Sequence, residues 1–294
     1  MLSAIQQSQA WFDFQNQLPN RQAWQLDGFF VYKLSVKKNL HFLYLPGLNA
    51  HPPKDFWHKL QKLAKDQNCA FCHIEPYRPT TEPPLAPIGA TKLSPFHYIE
   101  TWTRYLDLSL TEEELLAQMK SKGRYNLNLA QKKGITIKTE TNIDNFYNLL
   151  AATTERDGFA GHPKTYYQTM HQTLGDQHCR IWTAFYNNTP VASIIATFFE
   201  ETATYYYGAS SNEHRNLMAP YLIQWEAIKY AKANGCLYYD FMGIEPPEAV
   251  KHPLAGVSRF KAQFGGQVIQ FQPATDLVYS KLQYYPYYIY KVIK

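Results

Sequence analysis

One order of elements is written twice in this 294-residue chain, and that constrains its fold more than any other feature. In the first copy, Phe29 to Val36 and Leu40 to Leu45 are apolar, β-branched and aromatic runs around Lys37-Lys38-Asn39, the pattern of a hairpin. Phe56, Leu60, Leu63 and Ala64 then recur at helical spacing within Asp55 to Asp66, and a strand follows at Cys69 to Ile74. In the second copy, strands at Arg180 to Tyr186, Val191 to Phe199 and Thr202 to Tyr207 are joined by Asn187-Asn188 and Glu200-Glu201. Pro220, whose missing N–H costs nothing in a first turn, starts a helix with an apolar stripe of Tyr221, Leu222, Trp225, Ile228 and Ala231. Asn234-Gly235 closes it, and a strand follows at Cys236 to Met242. Ala64-Lys65-Asp66-Gln67-Asn68-Cys69 lies over Ala231-Lys232-Ala233-Asn234-Gly235-Cys236 position for position. The pattern predicts two similar α/β units in tandem, with a boundary after Ile135-Thr136-Ile137 that divides 1–142 from 143–294.

Composition narrows the class. Hydrophobic residues at 45% and charged residues at 18% exclude a disordered chain or a charged tail. Apolar runs are too short for a bilayer-spanning helix. Met1 to Phe14 lacks the basic start and apolar core of a secretory leader, so the chain is expected to stay in the cytosol. The net charge of +5 permits a polyanionic partner without demanding one.

Four cysteines invite metal or redox readings. Cys69-Ala70-Phe71-Cys72-His73 matches the spacing for covalent haem attachment, and the same pair could hold zinc. Strand alternation points Cys69 and Cys72 to opposite faces, which favours ordinary buried thiols. His171 and His178 have no carboxylate in step and make a poor metal site. No Walker loop, GxGxxG or Ser-His-Asp order is present, which leaves little room for a triphosphatase, a dinucleotide enzyme or a nucleophilic hydrolase.

Thr111-Glu112-Glu113-Glu114 is a capping box that opens a helix. Behind it, Lys120, Lys122, Arg124, Lys132 and Lys133 form either a solvated helix face or a phosphate-facing patch.

Lys122-Gly123-Arg124-Tyr125-Asn126 with Ala130 and Lys132-Lys133-Gly134 resembles the end of the first domain in the Fem peptidyltransferases. These enzymes move amino acids from aminoacyl-tRNA to peptidoglycan stem peptides. Further blocks resemble the same family in the same order. They are Tyr205-Tyr206-Tyr207-Gly208-Ala209-Ser210, Ala219 to Ile228, Tyr239-Asp240-Phe241-Met242-Gly243-Ile244, and Gly256 to Gly266 with its Phe260-Lys261 pair. The resemblance implies two acetyltransferase-like (GNAT-like) domains of mixed sheet and flanking helices, in agreement with the repeat. It also implies the type without an inserted coiled-coil arm, since no sustained heptad run occurs.

The resemblance places Lys261 at the catalytic centre as stabiliser of the tetrahedral oxyanion, with Phe260 packing the substrate and excluding water. Read from spacing alone, Lys261 is a solvent-facing residue on a short helix capped by Ser258. Asp240, at a strand end, either orients the attacking amine or caps the following loop. Tyr207 and Tyr166 look like the family's cleft tyrosines, or else pack their own elements. Where the family carries phosphate-binding residues, this chain has His162 with Lys164 nearby, and Gln15 near the start, which leaves Arg124 or Arg215 as alternative grips on the acceptor. The implied partners are aminoacyl-tRNA as co-substrate and a UDP-muramyl-pentapeptide or lipid-linked precursor, with no cofactor.

Two other readings stand beside this one. An acyl-CoA-dependent N-acyltransferase would share the fold, but the loop Gly208 to Asn216 carries one glycine, one arginine and an acid, a poor pyrophosphate nest. A non-catalytic binding protein would not need the Phe260-Lys261 pair. The stretch Tyr279 to Lys294 reads as a terminal helix that either covers the second domain or lies on a membrane surface.

Overall fold

A computed structural model describes residues 2–37, 40–85, 91–158 and 160–293. The chain begins with α1 (Gln9–Gln17), β1 (Gln22–Leu26), β2 (Phe29–Lys37), β3 (Leu40–Leu48), α2 (Lys54–Asp66), β4 (Cys69–Pro76) and β5 (Thr91–Leu93). It continues through β6 (Trp102–Asp107), α3 (Glu112–Gln118), α4 (Ser121–Lys132), β7 (Thr136–Glu140), α5 (Asp144–Asp157) and α6 (Lys164–His178). The second hairpin and its helix are β8 (Cys179–Tyr186), β9 (Thr189–Phe199), β10 (Thr202–Ser210) and α7 (Ala219–Ala233). The remainder is β11 (Tyr238–Gly243), α8 (Ala255–Lys261), β12 (Gln267–Gln270), β13 (Thr275–Val278) and α9 (Lys281–Ile293).

The elements form two mixed α/β units, each built on one mixed sheet. One unit holds residues 3–101 and 270–293, the other Leu2 and residues 102–269. The first sheet has the order β1-β2-β3-β4-β13-β5, and the second β12-β6-β11-β10-β9-β8-β7. The repeat read from sequence is visible in the pairing. β2 and β3 are antiparallel, and α2 carries the chain over to β4, which is parallel to β3. In the same way β9 and β10 are antiparallel, and α7 leads to β11, parallel to β10.

The division of the chain differs from the expected break at 142/143, which falls inside the second unit between β7 and α5. β7 is a full strand of the second sheet, paired with β8 along its whole length. Each parallel pair also takes its next neighbour from a distant part of the chain. β13 pairs with β4, and β6 pairs with β11. The terminal helix α9 therefore packs in the first unit, where Tyr284 and Tyr287 join Phe71, Phe42 and Leu34 in one apolar cluster.

Apolar burial explains most local choices. α2 sends Phe56, Trp57, Leu60 and Ala64 into the core of the first unit, and its other faces are wet. α7 is buried along most of its length, through Leu222, Ile223, Trp225, Ala227, Ile228 and Ala231. The predicted capping box is formed at α3. Glu114 N–H donates to Thr111 Oγ1 at 3.2 Å, and Thr111 N–H donates to Glu114 Oε2 at 2.8 Å.

The four cysteines are free and buried. Cys69 and Cys72 do not face opposite ways as alternation predicts, since both join the cluster under α2. The β3–β4 register shifts between His41↔Cys69 and Leu43↔Cys72, and that irregularity returns Cys72 to the face of Cys69. Burial pushes the Cys69 thiol up to about 11, as expected for an inert structural thiol. Among the described residues no group of three His, Cys, Asp or Glu side chains is placed to hold a metal ion. No helix among them is long and apolar enough to cross a membrane.

Candidate active site

The second sheet parts at one place. β10 and β11 pair in parallel at Thr202↔Tyr238, Ala203↔Tyr239 and Thr204↔Asp240, and there the pairing stops. β10 runs on to Ser210 against β9, and β11 runs on to Gly243 against β6. Their facing backbone groups no longer satisfy each other, so the notch must recruit other polar partners. A gap beyond the carboxyl ends of parallel strands is where open α/β sheets hold their ligands. The first sheet has no equivalent gap, because β3 and β4 stay paired from His41↔Cys69 to Leu48↔Pro76.

Lys261 enters this notch. It ends α8, and only 6% of it is exposed. Its Nζ donates to the Gly243 carbonyl at 2.6 Å and to the Met242 carbonyl at 3.3 Å, both on β11. The ring of Tyr205, on β10, lies 5.8 Å from the same nitrogen. One ammonium thus touches both strands that part. Burying a charge is costly unless it is hydrogen-bonded, and two carbonyl oxygens with an aromatic face meet that need. Lys261 is not the solvent-facing lysine of the spacing-only reading. Ser258 is not a helix cap either. It sits inside α8, where its Oγ donates to the Leu254 carbonyl at 2.8 Å and accepts from Glu245 N–H at 2.7 Å.

Asp240 shapes the β11 side. It is fully buried, and its Oδ1 accepts from the Thr103 hydroxyl of β6 and from Met242 N–H at 2.8 Å. Met242 has φ of 56°, and the β6–β11 register shifts between Asp240 and Gly243. The carboxylate thus holds the bend that presents the Met242 and Gly243 carbonyls to Lys261. Of the two roles open from sequence, the hydrogen bonds match the loop cap.

A second irregularity shapes the β10 side. The β9–β10 register shifts between Tyr205 and Tyr207, so these two tyrosines leave the sheet on opposite faces. Tyr205 packs on the core beneath α7. Burial pushes its phenol up to about 12, with the Gln224 amide of α7 opposing the shift. Tyr207 instead faces α5 and α6, with ring centroids 5.1 Å from Tyr167 and 6.4 Å from Phe146. Burial holds its phenol well above the usual value, so it stays a neutral donor. Its hydroxyl lies 3.5 Å from that of Tyr166, whose ring stacks on His162 at 3.9 Å. Tyr207, Tyr166 and His162 are therefore brought together.

Phe260 lies against the rings of Tyr221 at 5.1 Å and Phe264 at 5.4 Å, both edge-on. The other expected binding residues have structural partners or stand apart. Lys164 pairs with Asp144 at 2.7 Å across the starts of α6 and α5. Arg124 donates to the Met119 carbonyl and, at 3.3 Å, to that of Ala117, which caps α3. Arg215 is exposed beyond β10, near enough to Asp157 to lower the pKa of that carboxyl alongside Arg156. Gln15 is buried on α1 in the first unit.

Sequence reasoning missed Tyr205, Thr103 and Gly208 as parts of the site. A Cβ on Gly208 would fall 1.7 Å from the Tyr205 hydroxyl, so the glycine leaves room for that ring. The run Tyr205-Tyr206-Tyr207-Gly208 carried the signal, but only the bulge shows which tyrosine meets Lys261.

The arrangement offers a fixed ammonium, neutral phenols and an aromatic wall. It suits binding and charge stabilisation of an acyl-transfer intermediate.

A family model described as the FemAB family matches residues 96–187 and 180–291. Aminoacyltransferase FemA of Staphylococcus epidermidis is 31% identical over 85 residues, which are 29% of this chain and 20% of that protein. This chain thus matches about a fifth of the length of that relative. A crystal structure of FemX superposes with a TM-score of 0.80 at 17% identity, covering 96% of this chain and 94% of the other. The structure of L-PGS from Bacillus licheniformis gives 0.61 at 12% identity, covering 96% and 90%.

Proposed function

Because this chain belongs to the FemAB family, we propose that it is an aminoacyltransferase that moves an amino acid from aminoacyl-tRNA to the stem peptide of a peptidoglycan precursor. The observation that carries this reading is the Lys261 ammonium, buried at the parting of β10 and β11 with its Nζ 2.6 Å from the Gly243 carbonyl. In the reaction a stem-peptide amine attacks the ester carbonyl carbon of the aminoacyl-tRNA. The new C–N bond forms, and negative charge collects on the carbonyl oxygen. Collapse breaks the ester C–O bond, and the proton lost by the amine ends on the departing ribose hydroxyl. Lys261 stabilises the oxyanion, and its strength there comes from exclusion of water and a position set before the reaction. Phe260, resting on Tyr221 and Phe264, forms the apolar wall that keeps water off the ester. Tyr207, Tyr166 and His162 line the approach of the acceptor as hydrogen-bonding and stacking groups.

A transfer assay tests this directly. It uses labelled seryl-, glycyl- and alanyl-tRNA with two acceptors, UDP-muramyl-pentapeptide and its lipid-linked counterpart. Label moving to either peptide supports the proposal, and the acceptor used identifies its lipid state. No transfer to either, together with turnover of an acyl-CoA by the same preparation, would replace it with the N-acyltransferase reading.

A further inference from the structure

α9 has two unlike faces. Inward, Tyr284 donates its hydroxyl to Asp276 at 2.8 Å, and the Tyr287 ring stacks on Phe71 at 5.6 Å. Outward, Leu282, Ile289 and Ile293 recur at helical spacing along one line, with Leu282 88% and Ile293 81% exposed. Tyr290 and Val292 are exposed beside them. Scattered apolar residues on a surface need no account, but a contiguous helix face does.

The charged residues of the helix and of the neighbouring edge strand β5 are all lysines. Lys92 of β5 lies over the rings of Tyr285 at 4.8 Å and Tyr288 at 5.7 Å, beside the outer face, whereas Lys291 turns inward over Phe96 at 5.0 Å. Lys281 is exposed at the start of the helix. No acidic residue occurs from Tyr279 to the end of the sequence. An apolar line flanked by tyrosines and lysines is the make-up of a helix that lies in a lipid interface, apolar side down.

We propose that the outer face of α9 docks on an anionic lipid surface. Charge complementarity selects this occupant. A second copy of the chain would bring the same lysines face to face, with no acids in the helix to answer them. An anionic bilayer supplies both the apolar depth for Leu282, Ile289 and Ile293 and the negative headgroups for Lys92 and Lys281.

Vesicle co-sedimentation of the full chain tests the proposal without any transfer reaction, so its outcome is separate from that of the aminoacyltransferase reading. The probes are vesicles of phosphatidylglycerol mixed with phosphatidylcholine, and vesicles of phosphatidylcholine alone. The expected result is binding to the mixed vesicles at least about tenfold tighter than to the neutral ones, weakened by salt. Ile289→Glu and Leu282→Glu should each abolish most of it. Lys92→Glu with Lys281→Glu should weaken it by more than about tenfold, at roughly fivefold per lysine removed. Near-ultraviolet circular dichroism on each variant separates lost binding from lost fold. Equal binding to both vesicle types, or binding indifferent to these substitutions, overturns the proposal. So does a concentration-dependent dimer that Ile289→Glu dissolves, which would make the face a contact between copies.

Discussion

Lys261 and Gly208 show how single atoms set the site. The ammonium is held on one side by β11 carbonyls and on the other by the Tyr205 ring, and that ring needs the space a Cβ on Gly208 would take. Gly208→Ala is expected to force Tyr205 from its place, at a cost of about 1–3 kcal/mol in stability by overpacking. Urea unfolding measures the cost, and the transfer assay should show kcat falling with it. Asp240 acts one bond further out. Thr103→Val removes one of its two described donors and leaves a buried carboxylate short of a partner, which costs about 1–3 kcal/mol. If Asp240 instead acted as the base, Asp240→Asn would remove transfer while leaving stability nearly unchanged. The hydrogen bonds it makes predict the reverse order, a clear loss of stability with transfer reduced in proportion.

At the scale of elements, much was legible because it is local. Helical spacing in Asp55 to Asp66, the Asn234-Gly235 stop and the capping box at Thr111 all depend on neighbours within a turn or two, and all stand in the structure. Thr111→Ala should cost about 1 kcal/mol, seen as a shift in the urea midpoint with little effect on transfer, since α3 holds no part of the site. Pairing across the chain was not legible. Nothing near Trp102 or Thr275 reveals that β6 joins β11 or that β13 joins β4, because the partner lies far along the sequence. The bulges were equally hidden. Alternation placed Cys72 opposite Cys69, and it gave no reason to separate Tyr205 from Tyr207. In each case one extra residue in a strand reverses the face.

Over the whole molecule, one architecture occurs twice and serves two ends. In the second unit the parallel pair parts and admits Lys261. In the first it stays closed, and a buried network pins the exchanged strand instead. His73 on β4 bonds Asp276 of β13 at 2.7 Å and Glu75 at 3.0 Å, and Glu75 also accepts from the Tyr44 hydroxyl at 2.5 Å. Burial works against a charge on His73, but its hydrogen bonds and attraction to Asp276 and Glu75 outweigh that and raise its pKa. A raised pKa means the folded state holds the proton more tightly than the unfolded chain. This stabilisation is complete below about pH 6.5, the unfolded value, and is lost as pH rises through the folded value. Thermal melts across pH 5.5 to 9 should therefore show stability falling toward alkaline pH, with a smaller slope in His73→Gln. Breaking such a network from one side should cost about 3–5 kcal/mol. In the proposed reaction the opened sheet works through the charge of Lys261. The most direct test is single-turnover transfer from aminoacyl-tRNA by wild type, Lys261→Met and Lys261→Arg. Lys261→Met should lose about a hundredfold to a thousandfold in rate with acceptor KM nearly unchanged, and Lys261→Arg should recover part of it. A Lys261→Met variant that folds normally and transfers at the wild-type rate would contradict this role of the charge.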